Sequence, residues 1–170
     1  MINNIKLDKD FYLKKSYELA PLLLGKLICR NIDNKVFKYR ISEVEAYYSS
    51  LDTACHARFG KTKRTEAMYL DGGILYIYLI YGMYYMMNIV TGDSIPQAVL
   101  IRGVDNTFGP GKVTKLLKID KSFNKMSLIN SNLIWLEDDN YHPNYISTKR
   151  IGIDYADEYY KNILWRFIIK

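Results

Sequence analysis

At 170 residues the chain has room for one domain with a core and little room for a second. A composition of 49% hydrophobic and 25% charged residues excludes a disordered tail, and a net charge of +6 favours a polyanionic partner such as nucleic acid. Two cysteines (Cys29, Cys55) and two histidines (His56, His142) are too scattered for a zinc signature, so no metal is expected.

Ser16 before Tyr17 and Gly25 after Leu24 bracket a short helix that Pro21 limits, so it starts close to Pro21 or kinks there. The apolar patch Leu22, Leu23 and Leu24 is closed by Gly25 and Lys26. It is too short to cross a membrane, so the expected compartment is the cytoplasm with both thiols reduced. Lys26 to Arg30 and Val36 to Tyr48 read as two strands joined by a polar turn. A period of two puts Phe37, Tyr39, Ile41, Glu43, Glu45 and Tyr47 on one face of the second. Leu51 to Asp71 is polar and partly basic, with Arg58, Lys61, Lys63 and Arg64, and reads as loops with a helical turn. Ile74 to Val90 is rich in Tyr, Ile and Val around Gly82, which predicts two strands meeting near Tyr81 and Gly82. Ala98 to Gly103 is a further buried strand. Lys112 to Lys118 is a short helix with Val113, Leu116 and Leu117 on one face. Ile134 to Leu136, Arg150 to Ile153 and Leu164 to Ile169 complete the expected strands.

The chemistry concentrates in ordered blocks: Glu43-Val44-Glu45-Ala46-Tyr47, then His56, then the Tyr-rich run from Leu75 to Tyr84, then Met87-Asn88-Ile89, Val99-Leu100-Ile101-Arg102 and Gly109-Pro110-Gly111-Lys112. Together these E-x-E-A-Y, Y-x-Y-x-x-Y-G-M-Y and R-I-G blocks resemble the 3-methyladenine DNA glycosylase family, also called alkyladenine DNA glycosylase. The resemblance runs from about Phe11 to about Ile169. It implies an α+β fold over residues 1–170: a curved antiparallel sheet with packed helices, similar to the C-terminal domain of methionyl-tRNA formyltransferase. It further implies a monomer that acts on double-stranded DNA holding a damaged purine, with no cofactor. The damaged nucleotide would be flipped out of the duplex, because its sugar–base bond cannot be reached otherwise.

By the same resemblance, Glu45 is the base that deprotonates a water attacking C1′, and Arg102 stands near that water and the DNA backbone. Tyr47 and Tyr78 sandwich the base, His56 contacts its edge, and Asn88 crowds the pocket against guanine's exocyclic amine. Tyr81 is the wedge that fills the gap in the duplex. Elementary physics agrees with these roles. Glu45 and Tyr47 are two apart on a strand and face one side. Burial beside aromatic faces raises a carboxylate's proton affinity. Cationic alkylpurines gain about 0.5–2 kcal/mol from each electron-rich ring. A Tyr beside a Gly at a hairpin tip can wedge between base steps. Arg58 to Arg64, with Lys112 and Lys115, suits phosphates. Glu43 reads as a structural carboxylate, and Tyr76, Tyr84 and Tyr85 as packing residues. No lysine falls within the catalytic blocks, which favours simple hydrolysis over a Schiff-base lyase.

Two other functions fit parts of the pattern. A non-catalytic module could bind single-stranded nucleic acid by stacking on the Tyr-rich hairpin. A metal-dependent hydrolase is disfavoured by the shortage of ligands. The sequence also departs from the family: only six residues separate Arg102 from Gly109, the loop after His56 is one residue shorter, Thr65 stands where Asn is usual, and a short Val-Ser tail is absent.

Overall fold

One long strand organises the molecule. The computed structural model describes residues 4–92 and 94–170, and in it strand β3 (Lys35–Tyr48) has neighbours along its whole length. Before it come β1 (Ile5–Lys6), helix α1 (Ser16–Leu23) and β2 (Leu27–Ile32). After it come β4 (Leu75–Ile80), β5 (Tyr84–Val90), β6 (Gln97–Val104), β7 (Thr107–Phe108), helix α2 (Pro110–Leu116), β8 (Ile134–Asp138), β9 (Tyr145–Thr148), helix α3 (Glu158–Asn162) and β10 (Arg166–Ile169). The strands form a ten-stranded sheet in the order β1-β8-β2-β3-β6-β5-β4, every pairing antiparallel, with β10 and β9 continuing from β3 and β7 beside β6. The architecture is thus a single domain dominated by a large antiparallel sheet, with short helices.

Local sequence explains the hairpins. β2 and β3 are joined by Asp33 and Asn34, both at positive φ (52° and 63°), residue types that tolerate this backbone in a two-residue turn. β4 and β5 meet at Tyr81 (φ 53°) and Gly82 (φ 65°), where the expectation put the tip. Lys35 to Arg40 of β3 pair with β2, and Glu43 to Glu45 pair with β10 on the same edge, while β6 runs along the other edge. α1 packs on β3 and β6, and α2 on β5 and β6, closing a core that includes Leu19, Leu23, Ile41, Val44, Ala46, Ile101 and Val113.

Four sequence expectations need correction. The single face from Phe37 to Tyr47 is broken: the β3–β6 register shifts on both sides of Glu43, so Ile41 joins Val44 and Ala46 in the core while Glu43, Glu45 and Tyr47 turn the other way. α1 does not wait for Pro21. It begins at Ser16, whose N–H donates to Gln97 Oε1 (2.7 Å) and whose Oγ donates to the Tyr47 carbonyl (2.9 Å), so tertiary bonds fix its start. Arg150 to Ile153 is a loop, and the strand lies earlier, in β9. Val113 of α2 and Leu117 just past its end are buried, but Leu116 is exposed. Among the described residues no helix is long and apolar enough to cross a membrane.

Candidate active site

A cavity of about 640 Å³ opens between β4, β5 and β6, the start of α2 and the loop at 151–155. That volume is in the range of small-ligand pockets, roughly 300–1,000 Å³. Its wall includes Tyr47, His56, Tyr78, Asn88 and Arg102, so five of the residues singled out by sequence come together from segments up to 55 positions apart. Tyr81 stands at the rim on the β4–β5 tip, 84% exposed.

Glu45 lies just behind this wall and is fully buried. The β3 bulge turns its side chain away from the core to the side of Tyr47, whose hydroxyl donates to Glu45 Oε2 at 2.8 Å. The Ile151 backbone N–H donates to Oε1 at 2.7 Å, and Arg102 Nη1 lies 3.5 Å from Oε2. Burial pushes the Glu45 pKa above the ordinary carboxylate value. The Arg102 guanidinium, the Ile151 N–H, the Tyr47 hydroxyl and Arg150 all pull the other way. Burial and the neighbouring Glu45 raise the Tyr47 phenol well above its usual value, so it stays a proton donor to the carboxylate. Two carboxylate oxygens offer about four lone-pair sites, so these donors leave capacity for a water.

Arg102 bridges two carboxylates: its Nε donates to Glu43 Oε1 at 3.1 Å, while Nη1 faces Glu45. Arg166 Nε donates to the same Glu43 oxygen at 2.6 Å. Glu43 thus accepts from two guanidinium groups and ties Arg102 in place beside Glu45.

The other side of the pocket is aromatic. His56 Nδ1 and the Tyr76 hydroxyl pair at 3.0 Å, and the His56 and Tyr78 rings meet edge to face with centroids 4.6 Å apart. Burial, with the charges of Arg64 and Arg58, lowers the His56 pKa to about 4, so the imidazole is neutral near pH 7. A neutral ring presents one donor and one acceptor nitrogen. Asn88 is buried and donates to the Tyr76 carbonyl at 3.2 Å, which fixes its amide in the pocket wall. The Arg64 guanidinium lies 5.4 Å over the Tyr78 ring. Cys55, next to His56, is buried with its thiol pushed up to about 12, unlike an activated nucleophile. Among the described residues no group of three or more His, Cys, Asp or Glu side chains could hold a metal ion.

Sequence reasoning missed several parts of this site. Tyr76, read as a packing residue, does pack in a core cluster but also lines the cavity and holds His56; Tyr84, read the same way, is half exposed at the rim. The Ile151 N–H and the buried Arg150–Asp52 pair were not anticipated, although the R-I-G block contains the first two of these residues. A backbone donor carries no side-chain signature, and a pairing across 98 residues has no spacing to read.

Comparison with known proteins identifies the family. The methylpurine-DNA glycosylase family model matches residues 10–108 and 104–170. The chain belongs to that family and is a DNA glycosylase, a DNA-repair enzyme that hydrolyses N-glycosidic bonds. A protein of Borrelia garinii subsp. bavariensis named "Putative 3-methyladenine DNA glycosylase" is 48% identical, covering 96% of each chain. Proteins with the same name from Clostridium perfringens (37% identical) and Natranaerobius thermophilus (38%) each cover 98% of this chain and 96% of their own length.

Proposed function

We propose that this cavity takes an alkylated or deaminated purine, such as 3-methyladenine, 7-methylguanine or hypoxanthine, flipped out of duplex DNA, and that Glu45 activates the water that releases it. The observation that carries this reading is a fully buried carboxylate held by the Tyr47 hydroxyl directly behind the wall of an aromatic cavity. The water oxygen bonds to C1′ as the C1′–N bond breaks, and the water's proton passes to Glu45. A cationic base such as 7-methylguanine departs as a neutral molecule. Hypoxanthine departs as an anion and needs a proton from elsewhere. The product is an abasic site.

Tyr47 and Tyr78 supply faces for the base, and a cationic purine gains from both. Neutral His56 reads a base edge, and Asn88 narrows the wall beside it. Arg102, held by Glu43, stabilises Glu45 as the carboxylate and faces the reacting sugar. Tyr81 fills the stack that the nucleotide leaves. The test is a Glu45→Gln variant on duplexes with one hypoxanthine or one 7-methylguanine. Wild type should produce alkali-labile sites, and the variant should bind the lesion duplex yet excise less than about a hundredth as fast. Full activity in the variant refutes the assignment. Preference of the wild type for undamaged single strands would refute the glycosylase pocket itself.

A further inference from the structure

Two loops converge behind Glu45 from distant parts of the sequence. The first, residues 49–55, leaves β3 and leads to His56. The second, residues 149–157, leaves β9 and delivers the Ile151 N–H to Glu45 Oε1. One ion pair ties them together. Arg150 Nη1 and Nη2 donate to Asp52 Oδ2 and Oδ1 at 2.6 and 3.0 Å, and both side chains are fully buried. The same guanidinium donates to the carbonyl of Ala46, the residue between Glu45 and Tyr47, at 3.0 Å. It also donates to the Tyr160 carbonyl at 3.2 Å, and it lies 4.8 Å over the Tyr47 ring.

A buried ion pair is a poor device for stability alone, since well-packed apolar residues in its place are often neutral or stabilising. This one touches the strand segment, the aromatic ring and the loop that together fix Glu45. We propose that Arg150 and Asp52 act as a pair of positioning residues for Glu45: the guanidinium fork sets the loop that aims the Ile151 N–H, and the balance of the two charges sets how readily Glu45 ionises. The inference rests on the reading of Glu45 as the base.

Glu45 is faced by Tyr47 from β3, Arg102 from β6, Tyr78 from β4, and Arg150 with the Ile151 N–H from the second loop; Glu43 and Arg166 stand behind Arg102. Removing charge on one side of the pair therefore has a sign. Arg150→Met leaves Asp52 as an uncompensated anion and makes Glu45 harder to ionise. Asp52→Asn leaves Arg150 as an uncompensated cation and makes Glu45 easier to ionise. Arg150→Lys keeps the charge but cannot make the planar fork.

The experiment measures single-turnover excision against pH on a duplex bearing 7-methylguanine, whose cationic base needs no proton to depart. Lesion-duplex binding and thermal melting are measured alongside. The acid limb of the profile should move to higher pH in Arg150→Met and to lower pH in Asp52→Asn. Arg150→Lys should keep the wild-type limb and lesion binding but excise about 10- to 100-fold more slowly, the scale of a misplaced catalytic group. Coincident acid limbs in the folded charge variants, or a wild-type rate in Arg150→Lys, overturn the proposal. If only Arg150→Lys folds, its rate decides. If none of the three folds, the pair is a stability element and the proposal falls. Glu45→Gln in the same assay separates the two readings: an active variant removes the base assignment, whereas an inactive one with coincident limbs removes only the positioning pair.

Discussion

The Tyr47 hydroxyl offers the sharpest perturbation of the site, because a single oxygen can be removed while the ring stays. In Tyr47→Phe the carboxylate loses its 2.8 Å donor and keeps the Ile151 N–H at 2.7 Å and Arg102 at 3.5 Å. A hydrogen bond to a charged group contributes about 1.5–3 kcal/mol, so the ratio of carboxylate to carboxylic acid at position 45 should fall by roughly 10- to 100-fold at a given pH. The sign follows from which form is favoured. The hydroxyl donates to the ionised form, burial already pushes the Glu45 pKa up, and losing the donor pushes it further. Activity that needs the carboxylate should then fall most at the acid end, with the limb displaced to higher pH and the alkaline plateau largely kept. A raised carboxyl group contributes stability below its unfolded pKa, and that contribution is lost as pH rises through the folded value. The variant should accordingly lose more stability relative to wild type at neutral than at acid pH. The assays are single-turnover excision from pH 5 to 9 and urea unfolding across the same range. A profile that stays in place, in a variant that folds and binds the lesion duplex, refutes the reasoning.

His56, with its pKa lowered to about 4, should make the fold acid-sensitive. The unfolded chain takes up this proton first as pH falls below about 6.5, so stability falls between there and pH 4, by at most about 3 kcal/mol. Urea unfolding of wild type and His56→Gln checks it, and equal acid sensitivity in the two would contradict it. Tyr81→Ser, at an 84% exposed tip, should change stability by less than about 0.5 kcal/mol yet weaken lesion-duplex binding about 10-fold, as read by melting and by fluorescence anisotropy. Gly111→Ala would put a Cβ 2.8 Å from Tyr84 Cδ1 and 3.2 Å from Tyr84 Cβ, so the rim must shift. Overpacking of this kind costs about 1–3 kcal/mol, and an unchanged urea midpoint would show that Tyr84 moves aside freely.

What the sequence made legible was local. The Asp33-Asn34 turn and the Tyr81-Gly82 tip are written in residues that tolerate positive φ, and the strands beside them follow directly. The pairing of Glu45 with Tyr47 was legible because a strand repeats every two residues. The extension of that face back to Ile41 was not, because the bulge at Glu43 lies in the pairing with the distant strand β6 and no residue type in β3 marks it. Arg150 to Ile153 read as a strand because its apolar pattern is strand-like. Its backbone groups serve other ends: the Ile151 N–H donates to Glu45, and the Ile153 carbonyl accepts from the Ala156 N–H to close the turn. The start of α1 was hidden for a similar reason, since Gln97 and Tyr47, far along the chain, hold Ser16.

The distribution of charge sets Glu45 apart from the other two carboxylates here, in keeping with the role proposed for it. Glu43, Glu45 and Asp52 share their surroundings with Arg102, Arg150 and Arg166, so formal charges balance three to three. The short contacts are not shared equally. Asp52 takes both ends of the Arg150 fork at 2.6 and 3.0 Å, and Glu43 takes Arg166 at 2.6 Å and Arg102 at 3.1 Å. Glu45 is left with one guanidinium at 3.5 Å and two neutral donors, although it is as deeply buried as Asp52. A carboxylate saturated by close guanidinium bonds has few lone pairs left for a further donor. One that is equally dry but less fully paired has more to gain from a proton, or from positive charge developing at a sugar held against it. By keeping the closest cations on Glu43 and Asp52, the fold leaves Glu45 the least fully paired of the three, as the proposed role toward a cationic nucleotide requires.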